Sequence, residues 1–336
     1  MRRYRGPITD HFDGSYFYNP YYPNDPNQGP RRWEVLRWLA TRKVGPWPAW
    51  TELKPGPRPP ERVDAPEFHA TFVGHSSLLL QLDGFNILCD PHWSERASPV
   101  SFLGPRRHCP PGLKFEDLPP IDVVLVSHDH YDHFDVPTLR RMASAWNPHF
   151  VAPLGVRARL AKHGISTGAE ATELDWWQMV SISPELTVTS VPARHFSGRG
   201  LADRNRTLWC GYVIQGSFGA VYFAGDTAYG PHIAEIKRRF PRIRVAFLPI
   251  GAFKPRWFMG AFHLSPEEAL RAHTELGAET SIAIHFGTFA LADDGQREPL
   301  DELQRALDSA GEPKPQFCIL TPGESKHFAQ ELTTST

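Results

Sequence analysis

The chain has 336 residues, 41% of them hydrophobic, with 36 Lys and Arg against 37 Asp and Glu. That length and apolar content supply a sizeable core in one or two domains, and a formal net charge of −1 leaves no broad basic field for nucleic acid. The four cysteines, Cys89, Cys109, Cys210 and Cys318, are widely spaced with no Cys-x-x-Cys pair, which excludes a disulfide framework and a zinc ribbon and predicts free thiols in a reducing compartment.

The first residues are basic, but no apolar stretch follows them, so neither a signal peptide nor a spanning helix is expected. The protein is read as cytoplasmic, with peripheral membrane contact left open. Residues 1–66, rich in Pro, Tyr and Trp, read as an extended arm packed on a main domain of residues 67–330. The arm has one predicted helix over about 31–42, and its Tyr16–Tyr22 cluster is expected to pack against the main body.

From Glu67 the texture changes to strands and turns. Runs 68–73 and 77–82 are separated by Gly74-His75-Ser76, Asp83-Gly84 is a hairpin signal, and 85–89 reads as the returning strand, an antiparallel start to a sheet. A short apolar strand follows at 123–126, then a helix marked by Asp135 and Pro137 to about 145, a strand at 149–152 and a helix near 156–163. Trp176-Trp177 is expected to split, one ring inward and one at the surface. Residues 180–182, 186–191, 208–214 and 220–224 read as strands, Pro231 opens a helix to Phe240, and 245–250 is a buried strand. Ser265-Pro266-Glu267-Glu268 is a capping box opening a helix that ends near Gly277. A strand at 281–284, a helix over 300–310 and a strand at 316–320 complete the chain. Many strands with interspersed helices predict an α/β fold, a four-layer α/β/β/α sandwich.

Residues 128–133, His-Asp-His-Tyr-Asp-His, follow directly on the largely apolar run 121–127. His128 and His130 are two apart and share a face in extended chain. Asp132 and His133 follow at the turn, where adjacent side chains diverge. One short loop can therefore serve two metal ions about 3.5–4 Å apart. Three further ligand types sit at the ends of predicted strands: His195, Asp226 and His285. Together with the loop they suggest one shared rim. Imidazole and carboxylate donors suit zinc and leave positions open for water, and iron or manganese fits the same donors.

The pattern resembles the metallo-β-lactamase fold superfamily: the hexapeptide, then His, Asp and His in that order. It is most similar to the branch of N-acyl-phosphatidylethanolamine-hydrolysing phospholipase D and its bacterial relatives. The resemblance rests on Asp90-Pro91 with Arg96-Ala97-Ser98-Pro99, Leu118-Pro119-Pro120-Ile121-Asp122, Leu174-Asp175-Trp176-Trp177 and Phe223-Ala224-Gly225-Asp226-Thr227. It rests also on Pro249-Ile250-Gly251-Ala252, Pro255-Arg256-Trp257-Phe258-Met259, Pro266-Glu267-Glu268-Ala269 and the stretch from His285 to Ala292, within about residues 65–325.

The resemblance implies that His128, His130 and His195 hold one ion, that Asp132, His133 and His285 hold the other, and that Asp226 bridges both. It implies that Asp90 orients ligands from behind them. His75 lies at a strand turn near the site and reads mainly as a structural hydrogen-bonding residue. His263, by resemblance, binds the substrate phosphate or protonates the leaving oxygen; the competing reading is a helix-entry His with a local hydrogen bond. Trp257, Phe258 and Met259 are candidate lining for an apolar substrate channel, alongside Trp93, Trp176 and Trp177. A homodimer facing a membrane is a further expectation carried by the lipid-hydrolysing members.

A water held between two divalent ions is deprotonated near neutral pH and becomes the nucleophile. Asp132 has a carboxylate oxygen to steer it. With the branch's phospholipid, attack at phosphorus gives phosphatidic acid and an N-acylethanolamine. The same ions also attack carbonyls, which keeps a lactonase, a cyclic-nucleotide phosphodiesterase or a β-lactamase-like hydrolase of a soluble substrate as alternatives. A metal-binding scaffold without activity is a third reading, which a missing ligand would favour; all seven positions are filled.

Overall fold

The strands that deliver the candidate site are short, apolar and buried on both faces, which requires a layer against each side of the sheet. The computed structural model describes residues 4–20, 32–165, 171–200 and 202–329. Its elements run α1 (Arg32–Thr41), β1 (Phe68–Gly74), β2 (Ser77–Leu82), β3 (Phe85–Cys89), β4 (Val123–Leu125), α2 (Val136–Trp146), β5 (His149–Pro153), α3 (Arg157–Lys162), β6 (Ala171–Leu174), β7 (Met179–Ser181) and β8 (Thr187–Val191). They continue β9 (Gly211–Gly216), β10 (Gly219–Phe223), α4 (His232–Arg239), β11 (Ile243–Pro249), α5 (Arg256–Met259), α6 (Pro266–Leu276), β12 (Thr280–Ile284), α7 (Glu298–Ser309), β13 (Phe317–Cys318) and β14 (Ser325–Phe328).

Two seven-stranded mixed sheets result, ordered β14-β1-β2-β3-β4-β5-β6 and β13-β12-β11-β10-β9-β8-β7. The expected antiparallel start is present: β1, β2 and β3 pair antiparallel, and β4 then joins β3 in parallel. Alternation sorts the side chains between layers. Leu78, Leu80, Ile87, Cys89, Val123 and Leu125 enter the core between the sheets with Val188, Tyr212, Phe223, Val245 and Phe247. Their neighbours Leu79, Leu88 and Val124 face outward, onto Leu139 and Met142 of α2 and Leu160 of α3. On the second sheet, Ile233, Ile236, Ala269, Ala272, Leu276 and Leu303 bring α4, α6 and α7 onto the same core. This is the α/β/β/α sandwich. Each such buried aliphatic or aromatic side chain contributes about 1.5–3 kcal/mol.

Element ends differ from the sequence reading where backbone partners lie off the ladder. Residues 208–210 are apolar and buried, but Leu208 and Cys210 give their N–H groups to Leu154 and Ser127, so β9 begins at Gly211. β6, β14 and α5 were not foreseen: two are partly exposed edge strands and the third is a single turn between Pro255 and Gly260. Asp135 opens α2 without capping it. Its carboxylate instead accepts from the N–H groups of Trp93 and Ser94 and from two hydroxyls. The Ser265–Glu268 capping box is complete, and Gly277 (φ 58°) ends that helix. Trp176 is buried, whereas Trp177 is half-buried under the Arg239 guanidinium. Cys89, Cys109 and Cys210 are buried free thiols and Cys318 is half-buried. Among the described residues, no helix is long and apolar enough to cross a membrane.

Residues 4–20 contribute Phe12 and Phe17 to the central core, and Asn19 donates to the carbonyl of His195 (3.0 Å). Tyr21 and Tyr22 of the tyrosine cluster lie outside the described residues. The buried His11 ring stacks on Trp176 (4.3 Å) and meets Asp10 and Asp175 at 2.6 and 2.7 Å. Burial disfavours the imidazolium, but Asp175 and Asp10 outweigh it and raise the His11 pKa. A raised histidine pKa stabilises the docked state fully below the ordinary value, and that stabilisation is lost as pH rises through the folded value. We therefore expect hydrogen-exchange protection of residues 9–18, corrected for intrinsic rate, to fall about fivefold between about pH 6 and pH 9. A His11→Gln variant should lack that dependence, and equal protection at both pH values in the wild type would contradict the assignment.

Candidate metal centre

The ends of β1, β3, β4, β8, β10 and β12 all reach one rim. There they place His75, Asp90, the loop 128–133, His195, Asp226 and His285 immediately beyond the ladder or within four residues of it. The rim is conformationally demanding. His75 (φ 56°), Asp90 (φ 39°) and His285 (φ 60°) all occupy the left-handed region, a strain characteristic of functional sites. Gly225 (φ 59°) precedes Asp226, and a β-carbon there would stand 2.7 Å from that of Ser127. At Gly251, a β-carbon would lie 2.1 Å from the carbonyl oxygen of His285. Both positions need glycine for close approach of backbone to the site.

The loop closes on itself, with His133 and Phe134 both giving their N–H groups to the His130 carbonyl. His128 Nε2 and His130 Nδ1 are 2.9 Å apart, and His195 Nε2 lies 3.2 Å from the same His130 atom. This triad can hold an ion. Asp132, His133 and His285 form a second such group, joined by His75. Asp132 and His133 do not diverge as adjacent residues at a turn were expected to; Asp132 Oδ2 and His133 Nε2 stand 3.3 Å apart. Between the groups lies Asp226 Oδ2, at 3.2 Å from His133 and His285, 3.7 Å from His195, and 3.9 Å from His128 and His263.

Groups behind the ligands fix which ring nitrogen faces inward. Asp90, fully buried, meets His133 Nδ1 at 2.7 Å and accepts from the backbone and hydroxyl of Ser127. The Ser127 hydroxyl also meets His128 Nδ1 at 2.9 Å, and His195 Nδ1 donates to the Phe262 carbonyl at 2.9 Å. The Nε2 atoms of all three imidazoles are thereby left to face inward. His75 Nε2 meets Asp132 Oδ2 at 2.9 Å, and its carbonyl accepts the His285 N–H.

Burial and neighbouring rings push His128 well below its usual range, and burial holds His195 near 3 and His130 near 4, so this triad stays neutral as ligands must be. Burial also opposes charge on His133 and His285, yet Asp226 and Asp132 overcome it, raising His133 strongly and His285 to about 9. Both carboxylates are held well below their usual range despite burial, chiefly by His133. The pocket therefore draws positive charge to the place between the two groups. His133 Nε2, His285 Nε2 and Asp226 Oδ1 are buried without an aligned hydrogen bond. Such orphaned donor atoms around a charge-seeking centre fit divalent cations.

His263 turns a buried Nδ1 with no hydrogen-bond partner toward the cluster, its ring 5.0 Å from His195 and 5.3 Å from His285. Of the three proposed lining residues, Phe258 packs between Trp38 (4.9 Å) and Phe262 (6.4 Å). Phe262 meets Phe196, which abuts His130 and His195. Trp257 packs on Phe258 (5.7 Å) but is 60% exposed, at the outer end of that ring path, and Met259 is buried with Ala252 and Ala292, against which Phe258 also packs. Sequence reasoning left Phe196 and Phe262 unremarked, although each directly neighbours a candidate site histidine in the chain, His195 and His263.

Residues 85–286 match the family described as the Beta-lactamase superfamily domain. The N-acyl-phosphatidylethanolamine-hydrolyzing phospholipase D 1 of Caenorhabditis elegans is 37% identical over 266 residues, 75% of this chain and 74% of its own length. An uncharacterized protein of Mycobacterium tuberculosis is 40% identical over 280 residues, 82% of this chain and 72% of its own. Among solved structures, Igni18, a metallo hydrolase from the archaeon Ignicoccus hospitalis, superposes with a TM-score of 0.58 at 24% identity, covering 79% of this chain and all of that one. The chain thus belongs to the β-lactamase superfamily of metal-dependent hydrolases, in the branch of N-acyl-phosphatidylethanolamine-hydrolysing phospholipase D.

Proposed function

We propose that the protein is a two-metal phosphodiesterase of phospholipase D type, acting on N-acyl-phosphatidylethanolamine-like lipids. The observation that carries the two-metal part is the Asp226 carboxylate oxygen, within 3.9 Å of imidazole nitrogens from both ligand groups. His128, His130 and His195 would hold one ion and Asp132, His133 and His285 the other, with Asp226 shared. Two divalent ions, zinc foremost for this donor set and iron or manganese compatible with it, would acidify water and polarise a phosphoryl oxygen. The identity to the nematode phospholipase supports the lipid part.

The chain's own groups do the rest. Asp132 divides its contacts between His133, His285 and His75, and its carboxylate would steer the attacking water. His263, aimed at the same centre with a free ring nitrogen, holds a phosphoryl oxygen or hands a proton to the departing alcohol oxygen. The path of rings from Phe196 through Phe262 to Phe258 gives acyl chains an apolar wall beside the ions. Asp90 keeps His133 in the tautomer that ligates.

Incubation with N-acyl-phosphatidylethanolamine in heavy-oxygen water, followed by mass spectrometry, tests the reading. Label in phosphatidic acid, absent with His128→Ala, is the expected result. A protein carrying two metals per chain that leaves the lipid intact would remove the lipid assignment in favour of lactones and small phosphodiesters. His263→Asn should lower kcat about 10²-fold with metal content unchanged; full turnover would discard its role. Asp90→Ala should weaken metal binding about 10–100-fold in a chelator competition, and wild-type affinity would show that the His133 contact is dispensable.

A further inference from the structure

Asp129 lies inside the hexapeptide, is fully buried, and belongs to neither ligand group. Its carboxylate is engaged by other partners. Oδ1 accepts the N–H of Gly198 at 2.8 Å, and Oδ2 pairs with Arg159 Nε of α3 at 2.6 Å. Arg159, 4% exposed, reaches on to Asp203 Oδ2 at 2.8 Å. The other oxygen of Asp203 accepts from the N–H groups of Arg199 and Gly200. Arg199 returns to the hexapeptide loop, where its Nη1 donates to the carbonyls of Asp129 and Phe134, both at 2.9 Å, and lies 3.4 Å from that of His130. Its guanidinium lies over Tyr131 (3.8 Å), whose hydroxyl donates to the Arg199 carbonyl.

These bonds tie two loops together through α3: the one carrying His128 and His130, along with Asp132 and His133, and the one that begins at His195. His195 serves the first group alone, so of the two ions only the first draws its ligands from both loops; Asp132 and His133, ligands of the second, lie within the hexapeptide loop. The second ion's His285 comes from β12 and is held by a separate bond, from its N–H to the His75 carbonyl. We propose that Asp129, Arg159 and Arg199 are positioning residues for the first ion, a charged clamp that sets the separation of His195 from His128 and His130 before metal arrives. The proposal rests on the two-ion reading but not on the lipid reading. The buried Arg159 guanidinium lies between two carboxylates and the half-buried Arg199 donates to backbone carbonyls, so the loss of either would leave a buried charge or polar group unpaired. Lysine cannot reproduce the fork.

The test is stepwise metal binding by zinc-loaded protein against a chelator, with bound zinc counted by elemental analysis, in the wild type, Asp129→Ala, Asp129→Asn and Arg199→Gln. Asp129→Asn keeps an oxygen for Gly198 and loses the charge facing Arg159, so it separates pairing from folding. We expect all three variants to hold one of two ions as tightly as the wild type and to release the other about tenfold more readily or worse. Asp129→Asn should fall between the wild type and Asp129→Ala. The reading is overturned if both ions stay at wild-type affinity, or if both weaken together in Asp129→Asn in step with a lowered melting temperature. Wild-type protein that binds a single ion would overturn it at its premise, whereas two-step zinc binding without phospholipid turnover would leave it standing and remove only the lipid assignment.

Discussion

One carboxylate organises this protein. Asp226 is buried, one of its oxygens has no hydrogen-bond partner, and the other faces imidazoles delivered by four separate chain segments. A buried carboxylate among unprotonated rings would be strongly unfavourable by itself. It becomes favourable when cations share the space, so the centre is built to be completed. The same need explains the electrostatics: where the carboxylates dominate, His133 and His285 are pulled toward the protonated form, and elsewhere burial keeps the rings neutral.

The sandwich is what makes such convergence achievable. Two sheets buried on both faces lend rigidity to strand ends, and β1, β3, β4, β8, β10 and β12 end at one rim. Irregular backbone is concentrated just beyond those ends, at His75, Asp90 and His285, where the apolar layers behind hold it in place. Function is thereby separated from stability. The core fixes where the loops start, while Asp90, Ser127 and the Phe262 carbonyl decide which nitrogen each histidine presents.

Much of this was legible from the residues. Short apolar runs ending in His or Asp located the rim, because three such ends alongside the hexapeptide point to one shared site where a single strand-end His or Asp would mean only a turn or a local hydrogen bond. The geometry of the loop was not legible: local reasoning put Asp132 and His133 apart, yet the turn closed on the His130 carbonyl brings their ligand atoms together. Asp129 carried no signal of its own, since its partners Arg159 and Arg199 are remote in sequence and meet it only through packing. The segment Trp257-Phe258-Met259 reads as channel lining in at least some of its residues, and one helical turn grades them from the exposed Trp257 ring through Phe258 to Met259 in a small apolar cluster. Edge strands β6 and β14 lack a clear pattern because partial exposure relaxes the demand for apolar residues.

The central claim is that two ions share Asp226. Anomalous diffraction from zinc-loaded crystals at the metal's absorption edge reads this directly. The account predicts two peaks about 3.5–4 Å apart, one against His128, His130 and His195, the other against Asp132, His133 and His285, with the Asp226 carboxylate touching both. A single peak, or two peaks of which only one contacts Asp226, would contradict it.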